Sequence, residues 1–180
     1  MAGFNPNDLE LTPMIVKWQP NGSTSVYDLG ATLGNVKISV ALEKSELKAD
    51  QTGTTPIDRR VSGAKFMVTT ELAQINDMEL VSYIFPNAVF SGTASSGAIQ
   101  FNNAVGNSDL AVAGELTLHP QNMPSTAINH DWTFFIAAPT ENSEITYGPT
   151  EQSRFKVEWG VYPDQSTDPY RFMRYGDKNL

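Results

Sequence analysis

The chain contains no cysteine. That absence removes disulfides, thiolate metal sites and a cysteine nucleophile together, so stability has to come from packing and assembly. Histidine is scarce, with only two in 180 residues. Basic residues are few: 12 Lys and Arg stand against 20 Asp and Glu, a net charge of −8. Such acidity argues against ordinary nucleic-acid binding, which neutralises phosphates with Lys and Arg, yet it suits a surface that must repel nucleic acid. No apolar run approaches the roughly 20 residues of a membrane helix, so no membrane partner is expected. The N-terminus lacks a basic segment followed by an apolar one, which leads us to expect folding in a cytoplasm. The GxGxxG, Walker and GxSxG signatures are missing as well.

What is present is ordinary globular composition, 40% hydrophobic and 18% charged, in a length that suits one domain with its own core. The most informative stretch is the polar loop Ala49–Asp58 between two long alternating arms, Asn35–Lys48 and Arg59–Leu72. In the first arm Val36, Ile38, Val40 and Leu42 share one face, and Lys37, Ser39, Ala41 and Glu43 the other. In the second, Phe66, Val68, Thr70 and Leu72 alternate with Lys65, Met67, Thr69 and Glu71. Strict period-2 alternation predicts strands with one buried face. The arms are too long for ordinary short strands, and they predict an extended hairpin whose tip reaches beyond the body of its own subunit. A long hairpin has exposed edges that need pairing, so self-assembly is expected before catalysis.

Elsewhere Met14–Trp18 reads as a short strand closed by the turn Pro20-Asn-Gly22, and Leu29–Gly34 as a Gly-punctuated turn. In Ile75–Phe85 the period changes: Met78, Val81, Ile84 and Phe85 form a helical stripe, Asn76 and Glu79 resemble a capping box, and Pro86 ends the helix. Ser91–Asp109 reads as a surface loop or weak hairpin with a strand at Ala98–Phe101. Leu110–His119, Asp131–Ala138 and Ser153–Tyr162 read as strands. The second is apolar on both faces and should be central or at an interface. In the third, Phe155, Val157, Trp159 and Val161 point inward and Arg154, Lys156 and Glu158 outward. The expected organisation is a single domain over 1–180, with an arm at 1–13, a β core at 14–163 holding one helix near 76–85, and a C-terminal arm at 164–180.

Candidate chemistry is thin. His130 and Asp131 are neighbours, and adjacent strand residues point to opposite faces, so they form no dyad. Both His130 and His119 are read as exposed polar residues. Asp164–Asp168 lacks the spacing and final Glu of a calcium loop and reads as a solvated turn. Asn21-Gly-Ser23 spells a glycosylation sequon by chance. The aromatic and basic cluster Tyr170, Arg171, Phe172, Arg174 and Tyr175 could stack on nucleic acid. Its charge instead favours docking on the acidic surface of a neighbouring copy. No cofactor, no metal site and no catalytic residue is expected.

Several segments together resemble the tail tube proteins (major tail proteins) of tailed bacteriophages. They are Leu33-Gly-Asn-Val-Lys37, Glu43–Gln51, Ala49-Asp-Gln-Thr-Gly53, Thr55-Pro-Ile-Asp58, Lys65–Glu71, Met78–Phe85 and Phe155-Lys-Val-Glu-Trp159. The resemblance covers most of Gly30–Pro163, and the Asp50-Gln51, Pro56, Asp58 loop is its most specific part. It implies a mainly β fold, a β-sandwich or barrel with one flanking helix and a long hairpin loop. It implies hexameric rings stacked into a hollow tail tube that delivers DNA to the host without binding it specifically. The implied partners are further copies of the chain and the tail terminator, tape measure and baseplate or tip proteins. The implied location is the virion, with assembly in the host cytoplasm. Under this resemblance Lys48, Asp50, Gln51, Thr54, Pro56 and Asp58 are candidates for contact between rings. Lys37, Ser39, Glu43, Lys65, Thr69 and Glu71 are candidates to line the lumen, where Lys37 and Lys65 could pair with Glu71 or Glu43 across the sheet. Two other readings stay open: the inner tube of a phage-derived contractile injection system, and a monomeric β-sandwich module for a ligand such as carbohydrate. The module would show an exposed aromatic row, whereas Trp132 and Trp159 fall in apolar strand faces.

Overall fold

A computed structural model describes residues 12–48, 54–73, 81–82, 84–85, 87–93, 96–103, 105–140, 142–150 and 152–179. Eleven strands occur among them. They are β1 Met14–Pro20, β2 Tyr27–Ala31, β3 Lys37–Leu47, β4 Asp58–Leu72, β5 Ala88–Thr93, β6 Ser96–Phe101, β7 Gly114–Pro120, β8 Trp132–Pro139, β9 Glu144–Thr146, β10 Arg154–Val161 and β11 Met173–Tyr175. Nine of them form one antiparallel sheet in the order β2-β1-β7-β8-β10-β4-β3, with β11 added to β8 and β9 to β10. The remaining pair, β5 and β6, is a separate hairpin where the sequence suggests a weak one.

Alternation along each strand explains how this sheet buries its core. On β10 the buried residues are Phe155, Val157, Trp159 and Val161, as the pattern predicts. On β4 they are Val68, Thr70 and Leu72. Val16 and Trp18 of β1, Leu29 of β2, Leu116 and Leu118 of β7 and Phe134 of β8 join the same cluster. Residues from six strands can share one cluster because the twisted sheet curls around it. At one corner the chain leaving β2 meets the end of β4, where Thr32 bridges Leu72 and the Leu33 N–H donates to the Glu71 carbonyl at 2.7 Å. The result is a partly closed barrel. Trp18 packs against Trp159 at 4.8 Å, and the Trp159 indole N–H donates to the Thr70 hydroxyl at 3.1 Å, which satisfies the one polar group on that face of β4.

Helix is scarce. Val81, Ser82 and Ile84 are helical, and Val81 and Ile84 are buried in the core cluster. The start of the expected helix, with Asn76, Met78 and Glu79, lies outside the described residues. Phe85 stacks on Phe155 at 5.4 Å and meets Phe101 edge-on at 5.2 Å, so the helix end ties the β5–β6 hairpin to the barrel.

Three local readings differ from the structure. Leu29–Gly34 is partly strand: β2 runs to Ala31, and the left-handed Gly30 (φ 84°) and Gly34 (φ 92°) turn the chain at and after it. Leu110–His119 is not one strand. Asp109–Val112 is a helical turn and β7 starts at Gly114, where any side chain would meet the Gln19 carbonyl. The third difference concerns the histidines. His130 is half-buried. His119 is fully buried, and its Nδ1 lies 2.5 Å from Asp131 Oδ1. The chain from β7 to β8 folds back and sets Asp131 beside the ring, a contact that adjacency along a strand could not reveal.

Candidate assembly surface

The β3–β4 hairpin is the element least explained by its own barrel. Strand β4 has 15 residues, but only Phe66–Leu72 pair with β10. Residues 58–65 pair with β3 alone. On its other side β3 has no strand neighbour among the described residues, so it is an edge strand. The pairing continues to Leu47 opposite Asp58, with a bulge between Glu43 and Lys44. Gly63 sits at that bulge, where an added Cβ would crowd the Glu43 carboxylate at 3.1 Å. Bulges raise local twist and re-aim the strand beyond them.

The expectation of one buried face holds only at the base of this hairpin. Val36 and Ile38 pack on the core, but Val40, Leu42 and Val61 are about half exposed (49%, 51% and 59%). The cause is geometric: β10 ends at Val161 opposite Phe66, so beyond that point the core-facing side of the hairpin has no barrel to cover it. An apolar strip therefore continues out of the barrel along an unpaired edge.

The opposite face is polar, and all six lumen candidates lie on it. Lys37 is opposite Thr69, Ser39 opposite Met67, Ala41 opposite Lys65 and Glu43 opposite Gly63, with Glu71 two residues beyond Thr69. The neighbouring β10 extends this face, since Thr69 pairs with Glu158 and Glu71 with Lys156. Alternation places Lys156 and Glu158 outward, but only the β4–β10 register shows that they adjoin the candidates. The Lys156 ammonium lies 3.0 Å from Glu158, and the Asn142 amide donates to the same carboxylate at 3.1 Å. These two hydrogen bonds, helped by the charge of Lys37, hold Glu158 below the usual carboxylate range, and Glu158 in turn raises Lys156. The face is thus a lattice of alternating charges rather than a uniformly acidic one. The register sets Glu71 against Lys156, not against Lys37 or Lys65.

At the far end of the hairpin, charges are matched locally. Glu46 lies 3.2 Å from Lys48 and 3.1 Å from Arg59, and Arg60 lies 3.6 Å from Asp58. Exposed pairs of this kind contribute little stability, and of these only Glu46–Arg59 links one arm to the other. Of the candidates for contact between rings, Lys48, Thr54 and Asp58 are exposed and Pro56 is half-buried. Asp50 and Gln51 lie outside the described residues. Ile57, between Pro56 and Asp58, is 61% exposed.

The C-terminal segment differs from an outstretched arm. Met173–Tyr175 pairs with Trp132–Phe134 as β11 of the main sheet. Phe172 packs on Phe66 at 4.5 Å, Tyr175 on Trp132 at 4.8 Å, and the Arg171 guanidinium covers the Phe135 ring at 3.9 Å. Arg171 also binds Asp164 at 2.8 Å. Asp164 accepts further bonds from the Ser166 hydroxyl and N–H, and these together with Arg171 depress its carboxyl to about 2. Within the turn expected to be solvated, Asp164 is thus a buried anchor, while Gln165, Ser166 and Asp168 are exposed. Arg171, Phe172, Arg174 and Tyr175 are engaged on their own chain, while Tyr170 remains 61% exposed.

No group of three or more metal-ligating side chains is found among the described residues. No family model and no curated protein matches the chain. Among solved structures, it is similar to a chain of the anti-feeding prophage baseplate, determined by cryo-EM with six-fold symmetrisation. That likeness has a TM-score of 0.50 and 11% identity, and it covers 92% of this chain and 93% of the other. At this identity it is a likeness of fold: the mainly β architecture is shared over nearly the whole length of both chains.

Proposed function

We propose that this chain is a structural protein that polymerises, forming the tail tube of a tailed bacteriophage from stacked hexameric rings, with DNA passing through the lumen. The observation that carries the reading is the β3–β4 hairpin, which leaves its barrel with an apolar strip exposed on one side and β3 as an edge without a strand neighbour among the described residues. An edge of eleven residues is an aggregation risk in a solitary protein and an asset in a closed ring, where each copy pairs the edge of the next. The mixed-charge face would then line the water-filled lumen. Its three lysines, Lys37, Lys65 and Lys156, are offset in number by Glu43, Glu71 and Glu158, which leaves a passing phosphate backbone few points of attachment. The chain acts through assembly rather than catalysis, and it needs no cofactor.

A second reading, the inner tube or baseplate of a phage-derived contractile injection system, shares the same ring and hairpin. It is favoured by the fold likeness to the anti-feeding prophage baseplate. Both readings are tested first by negative-stain imaging of concentrated purified protein. Rings or tubes are expected, and a chain that stays monomeric at every concentration refutes both. The gene neighbourhood then separates them: capsid and terminase genes favour the phage tail, effector genes the injection system.

A further inference from the structure

The barrel has two distinguishable ends. Pro20, Gly114, Ala137, Val161 and Phe66 are successive register partners across β1, β7, β8, β10 and β4, and they mark the end from which the hairpin projects. Met14 opposite Pro120 and Leu72 opposite Phe155 mark the other end, joined by the Met14 N–H donating to the Thr32 hydroxyl and by the Thr32–Leu72 bridge.

A cleft of about 630 Å³ opens at the hairpin end. Its apolar lining includes Leu110, Phe135, Ile136 and Pro163, with Gln19 and Gln165 among its polar groups. The helical turn carrying Leu110 buries none of its residues, and Leu110 itself is 53% exposed. Apolar lining with a few polar groups is the usual make-up of a site for large side chains.

Residues 1–11 precede the described chain at the opposite end. They read Met-Ala-Gly-Phe-Asn-Pro-Asn-Asp-Leu-Glu-Leu, with Phe4, Leu9 and Leu11 as the large apolar side chains. Strand β1 runs from Met14 toward the cleft, so the described chain begins at the end remote from the cleft of its own barrel. Pro13 fixes the entry into β1 through its restricted φ and through its carbonyl, which accepts from the Gln121 N–H at 2.9 Å. The eight residues from Phe4 to Leu11, if extended, span roughly 26–29 Å. In a head-to-tail stack the cleft end of the next copy would face the end of the barrel where the described chain begins.

We propose that this cleft receives the N-terminal segment of an adjacent copy, with Phe4 as the anchor beside Leu110. The inference rests on the assembly reading above and adds to it a specific receptor. Because the chain lacks cysteine, the test has no background. Asn5→Cys and Ala111→Cys, which leave Phe4 and Leu110 in place, are made as separate variants, mixed, assembled and treated with a short bis-maleimide. The expected result is a cross-linked band of twice the chain mass in the mixture and in neither variant alone. Tubes without that band overturn the inference and leave the assembly reading intact. A double variant that cross-links only within one chain also overturns it, by showing that the segment turns back to its own cleft. Absence of both band and tubes, in a wild-type protein that also forms none, removes the assembly reading along with it.

Discussion

Replacing Val40, Leu42 and Val61 together by threonine isolates the contribution of the apolar strip. Threonine is β-branched and favours strands, so the hairpin itself should persist. Full burial of a Val or Leu side chain is worth about 1.5–3 kcal/mol. These three are already about half buried within the chain, at 49%, 51% and 59% exposure. Covering the remainder in an assembly should therefore contribute about 1 kcal/mol each, or about 3 kcal/mol per subunit contact. At about 1.4 kcal/mol per tenfold, association should weaken by about 150-fold. The critical concentration for tube formation, read by pelleting and light scattering, should rise accordingly. The unassembled chain should lose no more than about 3 kcal/mol, because by the same accounting the half of each side chain already buried contributes about 1 kcal/mol. Tubes that form at the wild-type concentration would refute the reasoning. So would a larger loss of monomer stability, which would show that the strip is covered from within its own chain.

Three further outcomes are expected. Deleting Asp50–Pro56 should leave a folded chain, by circular dichroism, that no longer makes tubes, and normal tubes would remove the loop from assembly. Thr70→Val strands the buried Trp159 N–H and should cost about 1–3 kcal/mol in urea denaturation, with a neutral result pointing to an alternative partner. Asp164 has a depressed folded-state carboxyl, near 2 against an ordinary 3.8, so its stabilisation is present above about pH 4 and is lost as the pH falls toward 2. Asp164→Asn should therefore lower stability at neutral pH and flatten the acid limb between about pH 4 and 2, and an unchanged acid limb in thermal melts would show that other carboxylates govern it.

Much of the barrel was legible because half-buried strands write their faces into alternate residues. Phe155, Val157, Trp159 and Val161 could be assigned inward from spacing alone, and β8 could be placed centrally because both of its faces are apolar. What was not legible depends on contacts between distant segments. The His119–Asp131 pair requires the β7–β8 connection to fold back, and the Asp164–Arg171 anchor requires the C-terminal segment to return to β8. The cluster at 170–175 has the composition of a docking arm, but composition does not say whose surface it covers.

The order of residues alone determined that this is a mainly β chain without cysteine chemistry, carrying one hairpin far longer than the rest. Those properties follow from local periodicity and from the residue types available. Only the folded structure decided where that hairpin ceases to be core. The apolar alternation runs unbroken from Ile38 through Val40 to Leu42, yet the first is packed and the last is half exposed. The difference is set by the length of β10, which stops at Val161 and leaves the outer part of β3 and β4 without a partner inside the described part of the subunit.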